Sequence, residues 1–87
     1  MPSVDAMNVR VLFFSSLRDL AGESETELEL AGDARVADLL GDLGAKIPGI
    51  KNWEGRLLVA VDHEYADMSQ VLSDGQEVAI MPPVQGG

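Results

Sequence analysis

Residues 36–47 have the sequence VADLLGDLGAKI, the clearest helical pattern in the chain. Five apolar residues recur there at helical spacing and form one stripe: Val36, Leu39, Leu40, Leu43 and Ile47. Gly41 and Gly44 lie within the same segment, and each lowers helix stability by about 1 kcal/mol relative to alanine. We therefore predict one main helix that is held by packing of its apolar stripe and that ends at Pro48–Gly49.

Two strands are predicted before this helix and two after it. Apolar alternation indicates strands over residues 8–14 and 25–30, joined closely enough to form a hairpin. Residues 57–61 and 77–81 are apolar on both faces, which is typical of buried strands. One helix between two pairs of strands favours a mixed sheet that the helix crosses on one face, with the first and last strands adjacent at its centre. This α+β arrangement is the β-grasp fold of ubiquitin.

The chain of 87 residues is long enough for one core between two layers, and it shows no linker or repeat. Residues 1–6 carry no periodicity and are predicted to be a flexible lead-in. Residues 7–81 are predicted to form the β-grasp domain, and residues 82–87 an extended C-terminal tail. The domain is predicted to end at the paired prolines because proline cannot donate a hydrogen bond to a sheet.

The composition excludes several classes of function. The chain has 15 acidic and 6 basic residues and a formal net charge of −9, and the basic residues are scattered, so nucleic-acid binding is not expected. The absence of cysteine excludes a disulfide scaffold, a thiolate zinc site and a cysteine nucleophile. No apolar run approaches the ~20 residues of a membrane span and no signal peptide is visible, so we expect a cytoplasmic protein without membrane contact.

The C-terminal residues 81–87 have the sequence MPPVQGG and contain no charged side chain. The two prolines favour an extended segment of roughly 20 Å, and the two final glycines leave the last part of it without side chains. Such a thread can enter a narrow channel and present its terminal carboxylate to the α-phosphate of ATP, after which a sulfur nucleophile can displace AMP. The pattern indicates that Gly87, with Gly86 beside it, is a reactive terminus on a protein that is not itself the catalyst. A frayed, inert terminus is the alternative interpretation.

Segments across most of the chain resemble the small subunits of molybdopterin synthase, the MoaD branch of the MoaD/ThiS sulfur-carrier family. Their sequences are VLFF (residues 11–14), LRDLAG (17–22), LLVAV (57–61), LSDG (72–75) and EVAIMPPVQGG (77–87). The likeness runs from residue 7 to the C-terminus. Its most specific part combines the Asp-Gly turn, the apolar strand and the Pro-Pro-Val-x-Gly-Gly tail.

The resemblance implies a function in molybdenum cofactor biosynthesis. Gly87 would be adenylated by an E1-like enzyme that uses ATP, and a sulfurtransferase route would convert it into a thiocarboxylate. The tail would then enter the active site of the large synthase subunit and donate sulfur to cyclic pyranopterin monophosphate. Family precedent implies a complex of two large and two small subunits. We expect no tightly bound cofactor and no metal site in the carrier itself.

Docking on the large subunit is predicted to use the sheet face that points away from the helix. Strand alternation places four apolar residues on that face: Leu12, Phe14, Ala79 and Met81. The resemblance adds Tyr65. The tail completes the predicted partner-binding set with Pro82, Pro83, Val84 and Gln85. Family members often have an aromatic residue at the position of Met81, where methionine can fill a pocket more adaptably. Alternatively, these side chains are ordinary surface hydrophobes.

Three other functions are compatible with the same residues. The chain could be a sulfur carrier of the thiamine or cysteine type, a ubiquitin-like modifier that joins its terminus to a target lysine, or a β-grasp binding module with an inert tail. His63, in a polar turn, is interpreted as solvated rather than metal-bound. Glu25, Glu27 and Glu29 are interpreted as the wet face of one strand, where their mutual repulsion discourages pairing with another chain.

Overall fold

The computed structural model describes residues 6–53 and 55–83. In this part of the chain the strands are β1 (Met7–Phe13), β2 (Glu25–Leu30), β3 (Leu58–Val61), β4 (Glu64–Tyr65) and β5 (Glu77–Met81). The helices are α1 (Ser16–Ala21), α2 (Val36–Lys46) and a 3₁₀ helix (Pro48–Trp53). Most of the predicted lead-in lies outside the described part. Four residues of the predicted tail also lie outside it: Val84, Gln85, Gly86 and Gly87. The domain boundaries therefore stay predictions.

The five described strands form one mixed sheet in the order β2-β1-β5-β3-β4. β1 and β5 pair in parallel at the centre, with Val11 opposite Val78, whereas the other three pairings are antiparallel. The first and last strands therefore lie side by side, as predicted from the order of the elements. The predicted bounds of β2 and β5 are confirmed, and β1 is shifted by one residue toward the N-terminus.

The core lies between α2 and one face of the sheet. From the sheet, the fully buried residues include Val9, Val11, Phe13, Val78 and Ile80. From α2 they are Val36, Leu39 and Leu43, and Leu40 and Ile47 pack partly buried beside them. Burial of a side chain of this size contributes about 1.5–3 kcal/mol. The three buried apolar side chains of α2 therefore outweigh the low helix propensity of its two glycines, as the apolar stripe predicts.

The segment after α2 differs from the prediction. α2 ends at Lys46, one residue before the end of the predicted helical pattern. The chain then continues as a 3₁₀ helix, which the sequence pattern does not predict. Pro48 can begin this new helix because the first helical position needs no N–H donor. Trp53, at its end, is half-buried and packs against the core. Among the described helices, none combines the length and apolarity needed to cross a membrane.

The start of α2 is held by a loop distant in sequence, residues 66–71. Val36 and Ala37 donate their N–H groups to the carbonyl oxygens of Gln70 (3.0 Å) and Met68 (3.1 Å). The first turn of a helix leaves four N–H groups without helical partners, and the loop satisfies two of them. Because these bonds join segments about thirty residues apart, no periodicity in the sequence predicts them.

The same loop is stabilised from within by Asp67. One oxygen of its carboxylate accepts hydrogen bonds from the Ser69 hydroxyl (2.6 Å) and the Ser69 N–H (2.9 Å). These bonds, the hydroxyl's first, hold the pKa of the Asp67 carboxyl below its ordinary value. The guanidinium of Arg35 donates to the Ser69 carbonyl (2.8 Å), which ties the loop to the residue that precedes α2.

Candidate docking face and tail exit

One row of side chains crosses all five described strands on the sheet face that points away from α2. The strand pairing places Leu12 between Glu25 and Ala79, and Ala60 between Ala79 and Tyr65. Apart from its acidic end on β2, this row is apolar. We use the name outer face for this side of the sheet, and its apolar residues are Leu12, Phe14, Leu58, Ala60, Tyr65, Ala79 and Met81.

A second apolar row lies one step closer to the end of β5. Leu58 is paired with Met81. The Phe14 N–H donates to the Ile80 carbonyl (3.2 Å), which continues the parallel ladder one residue beyond β1 and places Phe14 opposite Met81. The two rows together form a continuous apolar surface at one end of the outer face.

Several residues of this surface are exposed although they are large and apolar. Tyr65 is 74% exposed and Phe14 is 41% exposed. Leu12, Leu58 and Met81 are half-buried, because only their neighbours on the sheet cover them. Single exposed hydrophobic residues are normal on a protein surface, but a contiguous group marks an interaction site by default. The grouping therefore favours an interface over scattered surface hydrophobes.

The other end of the outer face is charged. Arg10 lies between Glu25 (3.9 Å) and Glu77 (3.8 Å), and Glu27 is its cross-strand neighbour on β2. His63 Nε2 is 3.1 Å from the Glu77 carboxylate. Exposed ion pairs of this kind contribute about 0–1 kcal/mol to stability. The outer face therefore has an acidic half, which holds these charged residues, and an apolar half.

The chain leaves the sheet at the apolar half. β5 runs from Glu77 in the charged half to Met81 in the second apolar row, and Pro82 and Pro83 follow directly and are half-buried. Neither proline has an N–H group, so the ladder ends here as predicted. The root of the tail thus lies beside the apolar half of the outer face.

Phe14 is held in place by a strained neighbour. Ser15 has φ 54° and ψ −132°, a conformation that normally requires glycine and costs of order 1–3 kcal/mol in other residues. The turn that Ser15 makes lets the Phe14 carbonyl accept a hydrogen bond from the Leu17 N–H (3.1 Å). Since the Phe14 N–H is already bound to β5, the backbone of Phe14 is fixed on both sides.

The structure brings together the predicted docking residues that it describes, and it adds two that the sequence analysis missed. Leu12, Phe14, Ala79 and Met81 share the outer face through strand alternation, and Tyr65 joins them at its edge. Leu58 and Ala60 belong to the same rows but were treated only as part of a buried strand. Their signal was present: in β3 they alternate with Val59 and Val61, which face the core. The role of all these residues in binding stays a prediction.

His63 lies in the two-residue turn between β3 and β4. Its side chain is 85% exposed, and both His63 (φ 74°) and Asp62 (φ 49°) have a positive φ, as the tightest hairpin turns require. In residues 6–53 and 55–83, no group of three or more potential ligand side chains is placed to hold a metal ion.

The model described as the ThiS family matches residues 11–87, which include the last three residues of β1, all the later strands and helices, and the tail. The chain belongs to the ThiS family. The family predicted from the sequence segments is therefore confirmed.

Curated relatives of this ThiS-family chain align with nearly all of it. It is 36% identical over 83 residues to the molybdopterin synthase sulfur carrier subunit of Chlamydomonas reinhardtii, which covers 93% of this chain and 100% of the relative. It is 36% identical over 81 residues to the protein of the same name from Escherichia coli (strain K12), which covers 91% and 99%. The resemblance to molybdopterin synthase small subunits is thus confirmed at full length.

Solved structures give the same fold. The complex of subunits 1 and 2 of molybdopterin-converting factor from Helicobacter pylori contains a chain that is 28% identical, with a TM-score of 0.65 and coverage of 93% of this chain and 100% of that one. Small archaeal modifier protein 1 from Methanosarcina acetivorans is 27% identical, with a TM-score of 0.82 and coverage of 95% and 99%. The ubiquitin of Caldiarchaeum subterraneum, 17% identical with a TM-score of 0.65 and coverage of 95% and 100%, shares the fold alone. The β-grasp prediction is confirmed.

Proposed function

We propose that this ThiS-family protein is the sulfur-carrier small subunit of a molybdopterin synthase. The observation that carries the proposal is the common location of the apolar half of the outer face and the tail exit. β5 leads from Met81, within that surface, directly into Pro82 and Pro83. A partner that covers the apolar half would thereby receive the tail. The names of the curated relatives support the same function.

In the proposed mechanism, the reactive group is the terminal carboxylate of Gly87. A carboxylate oxygen attacks the α-phosphate of ATP on an E1-like partner enzyme, and pyrophosphate leaves. Sulfur at the sulfide level, released from a sulfurtransferase persulfide by a thiol reductant, then attacks the acyl carbon and displaces AMP, which gives a thiocarboxylate. Transfer of the sulfur to cyclic pyranopterin monophosphate and hydrolysis of the acyl group restore the carboxylate. The carrier supplies no catalytic side chain in this scheme, and we propose no tightly bound cofactor.

The tail sequence fits this role through what it lacks. Gly86 and Gly87 have no side chains, so the partner's walls and a nucleotide can approach the acyl carbon closely. Pro82 and Pro83 restrict the backbone at the root and lower the entropy lost when the tail is threaded. We propose that Val84 and Gln85 bridge the root and the reactive end inside the partner's channel.

We propose that the large synthase subunit binds the outer face, by analogy with the solved complex of molybdopterin-converting factor subunits 1 and 2. Tyr65 and Phe14 are the most exposed aromatic residues of that face, and aromatic residues dominate the binding energy of many interfaces. Met81 lies between Phe14 and Leu58 and can adapt to the partner's surface. The proposed assembly has two large and two small subunits.

The reactive role of the terminus is tested by deletion of Gly87. The protein purified together with its activating enzyme and sulfur source is expected to gain the mass of one sulfur in place of one oxygen, and the deletion variant is expected to gain none. The variant should keep the circular dichroism spectrum and unfolding transition of the full chain. Val71→Ala is the control, since Val71 lies in the loop beside the start of α2 and belongs neither to the outer face nor to the tail. Sulfur transfer by the truncated variant would overturn the proposal.

The docking role of the outer face is tested with Tyr65→Ala. Because Tyr65 is mostly exposed, its truncation should change the free energy of unfolding by no more than about 0.5 kcal/mol. The free energy of binding to the large subunit should become less favourable by more than about 1 kcal/mol if Tyr65 is an interface anchor. Val71→Ala is the matched control, since Val71 is also apolar and 50% exposed but lies in the loop beside the start of α2. Equal effects of the two substitutions on calorimetric affinity would contradict the proposal.

A ubiquitin-like modifier is the second candidate function, favoured by the likeness to small archaeal modifier protein 1. The two functions share carboxyl activation and differ in the acceptor, which is a target lysine for a modifier. Isopeptide-linked conjugates that end in Gly87, detected by mass spectrometry of cell extracts, would favour the modifier. A sulfur carrier of the thiamine or cysteine type would instead transfer no sulfur in an assay whose sole acceptor enzyme is a molybdopterin synthase large subunit.

A further inference from the structure

The sheet has an open edge at β2. Among the described strands β2 pairs with β1 alone, and its six residues run in continuous register with that strand. Proteins usually protect an edge with a short strand, a bulge or a proline. The opposite edge follows this rule, because β4 has only two residues, whereas β2 has none of the three features. β2 is therefore the edge at which a further strand can pair.

The hydrogen bonds between β1 and β2 show which backbone groups are free at this edge. Phe13 donates its N–H to the Ser24 carbonyl (2.9 Å), and opposite pairs in an antiparallel ladder are bonded and non-bonded in turn. The N–H and C=O groups of every second residue of β2 therefore point to the open edge. These residues are Glu25, Glu27 and Glu29. In the described part of the chain, no hydrogen bond reaches their backbone groups.

The same three residues carry carboxylates on the outer face. Of the β1 residues opposite them only Arg10 is charged, 3.9 Å from Glu25, whereas Glu29 lies opposite the neutral Asn8. A second copy of β2 paired here would place glutamate opposite glutamate, and like charges directly opposite each other destabilise a sheet. A strand with basic residues at alternate positions would instead place each of them beside a carboxylate. The edge therefore rejects its own copy and favours a basic strand.

The helix side of this edge is also acidic. A depression between the end of β2 and α2 has four charged lining residues: Asp33, Arg35, Asp38 and Asp42. The Arg35 guanidinium is bonded to the 66–71 loop, and Lys46 lies one turn beyond Asp42 on α2. The two sides together carry six carboxylates against the three cations Arg10, Arg35 and Lys46, so the edge has the same sign as the net charge of −9. Charge complementarity therefore favours a basic partner.

We propose that β2 binds an extended basic segment of a partner protein by antiparallel strand addition, with cationic side chains at alternate positions beside Glu25, Glu27 and Glu29. The backbone of the segment pairs with the free N–H and C=O groups, and the carboxylates select its charge. β2 and Tyr65 lie at opposite edges of the sheet, and the contact uses neither the tail nor its exit. It is therefore independent of the sulfur-carrier function proposed above.

The test uses the isotope-labelled full chain and capped peptides at physiological salt. The basic peptide Thr-Lys-Val-Lys-Val-Lys-Thr should slow amide hydrogen exchange of Glu25, Glu27 and Glu29 at least about tenfold at saturation and leave the amide of Tyr65 unaffected. The acidic peptide Thr-Glu-Val-Glu-Val-Glu-Thr should bind at least about tenfold more weakly. Equal binding of the two peptides, or unchanged exchange at the three glutamates, would overturn the proposal.

N-methylation of the basic peptide separates strand addition from simple charge attraction. In the antiparallel arrangement the lysine N–H groups face β2 and the valine N–H groups face away from it. Methylation of the lysine amides should therefore weaken binding at least about tenfold, whereas methylation of the valine amides, which keeps the same charge, should have little effect. Equal affinities of the two methylated peptides would show that charge alone is recognised and would contradict the proposal.

Glu29→Lys tests the protein side of the contact. Glu29 is exposed and lies opposite Asn8, so the substitution breaks no ion pair of the described residues. It should weaken binding of the basic peptide about fivefold or more, because an attractive cross-strand pair becomes repulsive. Glu64→Lys is the matched control, since it changes the net charge equally but lies on β4 at the other edge. Equal losses of affinity in the two variants, or no loss in either, would refute binding at β2.

Discussion

Ser15 has the least favourable backbone conformation of the residues around the docking face. Its φ of 54° and ψ of −132° suit glycine, yet the position is occupied by serine. Replacing it with glycine should raise the free energy of unfolding by about 1 kcal/mol, since relief of the strain exceeds the added entropy of the unfolded chain. Urea denaturation measures the difference.

The matched control for Ser15 is the next residue. Ser16 begins α1 with ordinary helical geometry, so Ser16→Gly should lower the free energy of unfolding by about 0.5–1 kcal/mol. Opposite signs at two adjacent serines would show that the effect comes from the backbone angles and not from loss of a hydroxyl group. A destabilised Ser15→Gly variant would mean that the serine side chain stabilises the turn.

At the scale of single elements, the end of β1 and the residue that follows it place two adjacent phenylalanines in different environments. Phe13 is 2% exposed in the core, whereas the adjacent Phe14 is 41% exposed on the outer face. Phe13→Ala should cost about 3–5 kcal/mol of stability through the cavity it leaves. Phe14→Ala should cost about 1 kcal/mol or less but should weaken binding of the large subunit. Urea denaturation measures the stability of the two variants and calorimetry measures their binding, and each variant is the control for the other. An equal loss of stability in both would contradict the assignment of Phe13 to the core and Phe14 to the docking face.

The loop that holds the start of α2 should give the protein a specific dependence on pH. Hydrogen bonds from Ser69 lower the pKa of Asp67 from its ordinary value of 3.8. A carboxyl with a lowered pKa in the folded state adds stability above its unfolded pKa, and this contribution is lost as the pH falls through the folded value. Ser69→Ala, which removes the main donor, should therefore destabilise the protein at neutral pH.

The sign of this effect is checked by acid titration. The difference in free energy of unfolding between the wild type and Ser69→Ala should narrow as the pH falls below the pKa of Asp67. Urea denaturation at neutral pH and in acid measures it. A difference that is constant over this range would show that the Ser69 hydroxyl acts through packing and not through the charge of Asp67.

Short-range periodicity predicts β2 and β5 at their observed bounds, and it predicts the outer-face position of Leu12 and Met81, because side-chain direction in a strand follows from local alternation. It does not predict the 3₁₀ helix after α2, and it does not predict the 66–71 loop, whose bonds to the start of α2 join distant segments. The unusual angles of Ser15 are equally invisible, since serine gives no signal of a positive φ.

At the scale of the whole molecule, the layers separate two kinds of surface. The outer face, with the tail exit, lies on one side of the sheet, and α2 lies on the other. In the proposed function, the terminus is delivered to one enzyme while the helix layer stays accessible. We expect the apolar half of the outer face to determine how long a partner stays bound, because it would supply the desolvated contacts. We expect the net charge to determine how fast a partner associates.

The charge of −9 should accelerate association with a partner whose docking surface is basic. The Debye length shortens from about 30 Å at 0.01 M salt to about 8 Å at 0.15 M, so the association rate constant with the large subunit should fall steeply over that range. Neutralising three carboxylates that lie outside the outer face, with Asp19→Asn, Asp33→Asn and Asp42→Asn, should slow association at low salt and leave dissociation unchanged. Leu58→Ala should accelerate dissociation and leave association unchanged, since Leu58 belongs to the apolar half of the outer face. Stopped-flow measurements separate the two rate constants, and an association rate that did not change with salt would exclude long-range steering.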